Sequence, residues 1–503
     1  MKDYMSLQNG SDIRGIALDG DNGEKANLTS EAVFDITKSF VFWLSEKAEK
    51  PSKILKIGVG TDSRLSADIM RQAILSGIEA GGANGFDCGM TSTPAMFMST
   101  VFPESDFDGA IMATASHLPW NRNGMKFFTK GKGTESADVT AILTKAQETL
   151  PEVPSGTRTK FDLMPLYNSH LQTVIRNGIE DQSEFPLAGY KIAIDAGNGS
   201  AGFFATEVLE PLGADISGSQ FLEPDGRFPN HVPNPELPEV MEAAKKMTLE
   251  SHSDLGIVFD TDVDRAAFVD DKGTILSRNR LIGVLAEIVS KKYPGCTIVT
   301  DSVTSDHLTK FISKLGCSHH RFKRGYRNVI NEAIRLNREG IICPLAIETS
   351  GHCAFSDNYF LDDGAYLAVV MIAETVKCRR EGRSLADLAS ELKDPLESVE
   401  YRIKILNPDP QKYCESVLSD LREYTARQPS WKIAPENYEG VRISIPVFKG
   451  WFLLRMSLHE PLMPLMIESD LEGGVNSILN EIKPFLEMYP DLELPFLIGL
   501  TVV

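Results

Sequence analysis

One succession recurs three times along this 503-residue chain: a short apolar run, a polar loop, then apolar residues at helical spacing. It appears first as Ile54 to Gly60, then Thr61-Asp62-Ser63-Arg64-Leu65-Ser66, then Asp68 to Ala80 with Ile69, Ala73, Ile74 and Ile78 in phase. Ser66 is placed to cap that helix. It returns as Lys191 to Asp195, then Ala196-Gly197-Asn198-Gly199-Ser200, then a helix predicted through Leu212. The third copy runs Thr297 to Asp301, Ser302-Val303-Thr304-Ser305, and a helix through Leu315. Each time an aspartate (62, 195 or 301) closes or follows the strand. Strands alternating with helices bury their apolar faces in layers, which predicts parallel sheets flanked by helices.

The last quarter breaks this rhythm. Val399, Tyr401, Ile403 and Ile405 alternate with Glu400, Arg402 and Lys404, the signature of a half-exposed strand. A helix from Gln411 to about Arg427, two further strand-like runs and a helix near Asn476 to Met488 predict a smaller α+β unit. Breaks at Leu150 to Gly156, at Asp271-Lys272-Gly273 and at Lys393-Asp394-Pro395 divide the chain into domains 1–155, 156–271, 272–394 and 395–503. The run from Phe496 to Val503 is predicted to be a packed terminal strand.

A net charge of −19 argues against nucleic acid as partner, yet a local basic pocket can still hold a small anion. No apolar run approaches the roughly 20 residues that cross a bilayer, so no membrane partner is expected. Met1-Lys2-Asp3-Tyr4 does not read as a secretion signal, and seven cysteines without a C-x-x-C pair suit a reducing compartment. A cytoplasmic protein is expected, and no protein partner can be read from the chain. Cys317, His319 and His320 could offer ligands to a transition metal, but a polar helix-to-strand turn is the plainer reading.

Chemistry concentrates in two loops. Phe259-Asp260-Thr261-Asp262-Val263-Asp264-Arg265 follows the apolar Leu255 to Val258. Three carboxylates at alternate positions suit a hard divalent cation such as Mg²⁺. An EF-hand is excluded, because its glycine and glutamate positions hold Arg265 and Asp271. An aspartyl-phosphate phosphatase is disfavoured by Asp264, where threonine or valine is required. Arg265 beside the triplet could pair a phosphate. Between Ala113 and Phe128, Ser116, His117 and Lys126 gather around turn-forming residues, with no G-x-S-x-G elbow to support a hydrolase triad. A serine that carries a phosphoryl group needs its charge neutralised more than it needs covalent help. A hydroxyl carrier beside a cation cage points to phosphoryl transfer.

Thr114-Ala-Ser116-His117-Leu-Pro119 with Asn123-Gly124-x-Lys126 resembles the active-serine loop of the α-D-phosphohexomutase superfamily. Asp260-x-Asp262-x-Asp264-Arg265 resembles its magnesium loop, and Glu348-Thr-Ser350-Gly351-His352 with Asp362-Asp363-Gly364 its sugar-recognition loop. Asp12-Ile-Arg14-Gly15, Gly60-Thr-Asp62-Ser-Arg64-Leu-Ser66, Thr93-Pro94, Pro224-Asp225-Gly226 and Pro233-Asn234-Pro235-Glu236 add supporting matches in the same order. The resemblance implies an α/β fold of three similar domains with mixed or parallel sheets, plus a smaller α+β C-terminal domain, around a central cleft. It further implies a phosphoserine at Ser116 whose phosphate bridges to Mg²⁺ on Asp260, Asp262 and Asp264. A small-molecule sugar phosphate would be the partner, and a hexose 1,6-bisphosphate both intermediate and activator. Arg14 and Arg265 would hold the phosphoserine beside His117, while Lys126 and His352 would move protons. Glu348 and Ser350 would read sugar hydroxyls, with Lys323 and Arg324 near the substrate. The implied activity interconverts the 1- and 6-phosphates of glucose or mannose. A phosphoglucosamine mutase, or a sugar-phosphate-binding or regulatory protein without turnover, are the alternatives.

Two departures from the superfamily pattern stand out. Its C-terminal phosphate loop, R-x-S-N-T-E-P-x-x-R, here reads Arg455-Met-Ser457-Leu458-His459-Glu460-Pro461-Leu-Met-Pro464. Arg455, Ser457 and His459 are the expected phosphate contacts, whereas Pro464 loses both a cation and a backbone N–H. His459, Arg324, Arg327 and Lys449 are the candidates to compensate. In the serine loop, Leu118 stands where asparagine is usual.

Overall fold

The computed structural model describes residues 3–21, 23–457 and 460–497. Two compact units emerge, Met1–Leu281 with Ser350–Leu388, and Ile282–Thr349 with Ala389–Val503. In the first unit a mixed sheet runs in the order Gln8–Asn9, Asp12–Ile16, Arg122–Thr129, Gly109–Ala113, Lys56–Thr61, Asn84–Met90, Thr157–Lys160, with Lys132–Gly133 appended to Arg122–Thr129. Lys56–Thr61 is parallel to both neighbours, whereas Arg122–Thr129 is antiparallel to Gly109–Ala113 and to Asp12–Ile16. The parallel expectation therefore holds at the centre, and the hairpin through the serine loop makes the sheet mixed. Thr157–Lys160 joins in parallel from beyond the Pro-rich connection.

The core of this layer packs Ile57, Val59 and Ile111 against Ile36 and Phe40 of the helix Ser30–Ala48 and Ile74 and Ile78 of the helix Ala67–Ala80. Ala73, Ile74 and Ile78 are buried as predicted, but in the first turn of Ala67–Ala80 Met70 takes the buried position while Ile69 is 53% exposed. Ser66 does not cap that helix: its backbone is already helical and its hydroxyl accepts from Asn123 Nδ2 at 2.7 Å. Gly60 is required by close packing, since a Cβ there would lie 2.2 Å from Thr91 Oγ1.

The second sheet of this unit runs Ile275–Leu276, Ala266–Asp270, Leu255–Phe259, Ile192–Asp195, with only the last pair parallel. The helix expected after Ser200 through Leu212 is present but not α-helical over most of its length: a π-helical segment, Phe204–Leu209, is followed by a 3₁₀ turn, Glu210–Leu212. Pro211 lies within that last turn, where it cannot donate to an α ladder.

The second unit holds three parallel strands, Ser318–Arg321, Thr297–Thr300 and Leu345–Ile347. It also holds an antiparallel sheet ordered Lys432–Ile433, Val441–Ile445, Gly450–Leu454, Leu462–Ser469, Glu397–Ile405, Leu492–Glu493. Helices Pro410–Thr425 and Gly474–Leu486 bury Val417, Leu421, Ile478 and Ile482 against this sheet. Cys317 lies in the helix-to-strand connection between Asp306–Lys314 and Ser318–Arg321. His319 and His320 lie in the strand Ser318–Arg321, His319 bonding Thr300 and Thr309 at 2.7 Å and His320 bonding Glu332 at 2.9 Å. Phe496 and Leu497, the first residues of the run predicted as a terminal strand, lie in a 3₁₀ turn, Pro495–Leu497, and residues 498–503 lie outside the described residues. Among the described residues no helix is long and apolar enough to cross a membrane.

Candidate active site

The first unit brings Ser116 to the acidic loop. Ser116 lies in the turn between the antiparallel strands Gly109–Ala113 and Arg122–Thr129, and Asp260 to Asp264 fill the turn between Leu255–Phe259 and Ala266–Asp270. Both turns hold a non-glycine residue in the left-handed region, Ser116 at φ 50° and Val263 at φ 68°. Such a backbone costs about 1–2 kcal/mol per residue and persists only where the surroundings over-determine it.

The hydroxyl of Ser116 donates to Asp260 Oδ2 at 2.8 Å and accepts from Arg265 Nη2 at 2.7 Å. The same guanidinium reaches Asp260 Oδ2 from Nε at 3.1 Å and His117 Nδ1 from Nη2 at 2.7 Å. Lys126 contacts Asp264 Oδ2 and lies 3.3 Å from Asp262 Oδ2. Asp262 Oδ2 also accepts from Thr93 Oγ1 at 2.5 Å. Arg14 holds Thr114 O at 2.9 Å and Asp12 at 3.0 Å, one residue from the serine's own peptide.

Burial raises Asp260 well above the usual carboxylate range, and the Asp264 charge adds to this. Burial would also raise Asp264, but Lys126, His352 and Arg265 together hold it far below. His117 is depressed to about 2 by burial and by the Arg265 and Arg14 charges, so its imidazole is neutral. Burial opposes charge on His352, yet Asp362, bonded to Nδ1 at 2.5 Å, raises it to about 9. A cation is thus built in at His352 at neutral pH.

One atom from each of Asp260, Asp262 and Asp264 lies within 4.8 Å of the others. Asp262 Oδ1 and Asp264 Oδ1 are buried without a hydrogen-bond partner. Leaving a charged acceptor buried and unsatisfied is costly, whereas a divalent ion with oxygen ligands resolves it. The donor set therefore fits a hard cation. The loop 350–364 packs directly on this turn: Gly364 N donates to Val263 O at 3.1 Å, and a Cβ on Gly364 would lie 2.7 Å from Arg265 C. Ser350, at the start of this segment, is buried.

The remaining predicted residues belong to the second unit. Glu348 accepts from Gly325 N at 2.6 Å, and Arg324 N donates to Glu439 Oε2 at 2.9 Å. Lys323 is exposed, its ammonium 6.0 Å from the Phe322 ring. Arg455 is buried beside Glu439 at 3.7 Å and Glu400 at 3.9 Å. Ser457 N is held by Leu462 O at 2.9 Å. His459 and Leu458 lie outside the described residues. Lys449 cannot replace the lost cation: it precedes Gly450–Leu454 whereas Arg455 follows it, about 20 Å apart at strand rise. Pro464 sits one residue past the end of that strand's ladder, its carbonyl still accepting Arg455 N at 3.2 Å, so the missing N–H interrupts little.

Several partners went unread in the sequence: Thr93 on Asp262, remote along the chain, Glu439 beside Arg455, and Asp362 on His352, whose motif was read without its pairing. The recurrent aspartates gave a usable signal. Asp62 and Asp195 each accept the N–H two residues on, at 3.0 and 2.9 Å, folding the loop after the strand. Asp301 instead takes Thr349 Oγ1 at 2.7 Å.

Comparison with known proteins gives the family. Models of phosphoglucomutase/phosphomannomutase α/β/α domains I, II and III match residues 5–152, 166–273 and 277–395. A phosphomannomutase/phosphoglucomutase of Pseudomonas syringae is 28% identical, covering 96% of each chain. A phosphoglucomutase of Neisseria gonorrhoeae is also 28% identical, over 96% of this chain and 97% of that protein. A phosphomannomutase of Salmonella montevideo is 29% identical, over 87% and 91%. A crystal structure of a phosphoglucomutase/phosphomannomutase family protein from Burkholderia thailandensis superposes with a TM-score of 0.80 at 24% identity, covering 97% of this chain and 99% of that one. The fold is therefore three α/β domains followed by a sheet-rich C-terminal domain, and the chain belongs to the phosphoglucomutase/phosphomannomutase family within the α-D-phosphohexomutases.

Proposed function

We propose that this chain is a phosphohexomutase that moves a phosphoryl group between the 1- and 6-positions of glucose or mannose phosphate, with Ser116 as carrier. The observation that carries this reading is the Ser116 hydroxyl, held between Asp260 and Arg265 beside two orphaned carboxylate oxygens. Asp260, Asp262 and Asp264 would hold Mg²⁺, which supplies charge neutralisation for the phosphate on Ser116. Arg265 already reaches the serine oxygen and is placed to follow the phosphoryl charge as it leaves. Arg14 adds a second cation close by.

His352, cationic at neutral pH and oriented by Asp362, is the proton donor of the site. Lys126, clasped by two carboxylates, is the second group for proton movement with the sugar hydroxyl. Transfer from phosphoserine to a hexose monophosphate gives a hexose 1,6-bisphosphate. That intermediate turns over and returns its other phosphate to Ser116, so the bisphosphate also serves as activator. Glu348 and Ser350 would read sugar hydroxyls, and Arg324, Arg455, Ser457, Lys323 and His459 would serve the distant phosphate. A reducing cytoplasmic setting fits the seven cysteines, all of them free thiols. The names of the relatives support glucose and mannose phosphates over glucosamine phosphate, and the completeness of the serine centre supports turnover over binding alone.

Phosphorus NMR with glucose 1-phosphate and mannose 1-phosphate, supplied with Mg²⁺ and a trace of bisphosphate, tests this. Conversion of at least one to its 6-phosphate is expected. Inertness toward both would overturn the reading.

A further inference from the structure

We propose that Arg64, with Asp62 and Thr114, is a brace that sets the Ser116 hydroxyl in its reactive position, and that phosphoryl transfer depends on it. The inference rests on the mutase reading above and gives a role to the Asp62-Ser-Arg64 loop, which that mechanism leaves unused.

The side chains of Arg64 and Asp62 are fully buried, with Arg64 Nε 3.2 Å from Asp62 Oδ2. A buried guanidinium is tolerated when its charge is paired and its planar fork is filled with acceptors. Both terminal nitrogens of Arg64 are filled by main-chain carbonyls at and just beyond the serine loop, while Nε is left with only the Asp62 ion pair. Nη2 donates to Ser116 O at 2.5 Å and Leu118 O at 2.7 Å, and Nη1 donates to Pro119 O at 2.7 Å and Arg122 O at 3.0 Å. Asp62 Oδ2 meanwhile accepts from Thr114 Oγ1 at 2.7 Å, and Thr114 Oγ1 accepts the Ser116 N–H at 3.0 Å. The left-handed residue that bears the nucleophile is therefore gripped on both sides, its N–H by Thr114 and its carbonyl by Arg64.

Residues 115–121 lie outside any strand, so no sheet ladder holds them. Asn123, bonded to Ser66, ties the end of the loop to the same 61–66 turn. The Phe228 ring covers the guanidinium at 5.3 Å, and Gly226 packs so closely on Leu65 that a Cβ would lie 2.4 Å from its nitrogen. This bracing also accounts for Leu118. What the loop offers Arg64 at that position is a carbonyl, which every residue possesses, so replacing the usual asparagine leaves the grip intact. Arg64 touches no reacting atom and is a positioning residue.

The test uses the full chain carrying Arg64→Lys, and separately Thr114→Val, which removes the hydroxyl with little change of volume. Steady-state turnover of the better hexose 1-phosphate is measured together with backbone hydrogen exchange over 115–122. For Arg64→Lys we expect kcat to fall about a hundredfold with KM within about threefold, because misplacement of a reacting group acts on the chemical step. Exchange over 115–122 should rise about tenfold or more while Gly109–Ala113 stays protected. Thr114→Val should lower kcat about tenfold with the same split, and carries the test if Arg64→Lys fails to fold. A kcat within about threefold of wild type in the folded variants, or unchanged exchange over 115–122, overturns the proposal. Lack of turnover in the wild type would overturn the mutase reading and the catalytic half of this one, while the exchange data still decide the brace.

Discussion

The acidic turn of the first unit and the arginine loop of the second are opposite in charge, the one short of cations and the other built around one. Around Ser116 the carboxylates are not fully satisfied: Asp262 and Asp264 each keep a buried oxygen without a hydrogen bond, and the turn suits an added cation. Around Arg455 the cation comes first and is already attended by Glu439 and Glu400, with Asp301 close enough to be felt. Burial lowers Arg455 and Arg324 lowers it further, while Glu439 pulls the other way. Under the proposed mutase function, the first centre would gain positive charge, and the second would exchange a carboxylate for a phosphate.

The contrast predicts a graded series of effects. Ser116→Ala should bring mutase turnover down to background with an unchanged fold, since no other hydroxyl contacts both Asp260 and Arg265 among the described residues. Turnover near the wild-type level, followed by the same NMR assay, would break the first half of the contrast. Asp262→Asn should lower kcat about a hundredfold or more, as loss of one preorganised electrostatic group does, and raise the Mg²⁺ concentration needed for half activity. An unaltered metal titration would remove the cation from that turn.

Glu439→Gln should have the reverse sign. With one carboxylate neutralised, Arg455 and the Arg324 region attract phosphate more strongly, and KM for the hexose phosphate should fall about threefold to tenfold. A raised KM would show that Glu439 orients the arginine rather than competing for it.

The smallest effect concerns pH and stability. Burial would lower His231, but Asp195, 3.0 Å from Nε2, outweighs it, so its folded value lies above the ordinary 6.5. Its contribution is fully present below the unfolded value and is lost as pH rises through the folded one. Between pH 6 and 9 the wild-type Tm should therefore drop more than that of His231→Gln. Equal slopes would discount the pair.

How much of this was readable beforehand follows the reach of each interaction along the chain. The serine loop and the acidic turn are contiguous, and their chemistry is carried by residue type and spacing, so both could be read directly. Ser66 misled for the converse reason: its local context is that of a helix cap, but Asn123, remote in sequence, claims its hydroxyl. Arg64 matched a pattern without disclosing a purpose, because its acceptors are backbone carbonyls 52 to 58 positions away and carry no side-chain signature. The π-helical turn at Phe204–Leu209 shares the apolar spacing of an ordinary helix, which periodicity cannot tell apart over so short a span. Arg455 was visible; the glutamates flanking it come from separate strands and loops.

The reading stands or falls on where phosphate resides. Incubating the protein with a hexose 1,6-bisphosphate and Mg²⁺, then mapping phosphopeptides by mass spectrometry, reads this directly. One phosphate per chain, confined to Ser116 and absent from Ser116→Ala, is the expected result. Phosphate on another residue, or none on Ser116, would contradict it.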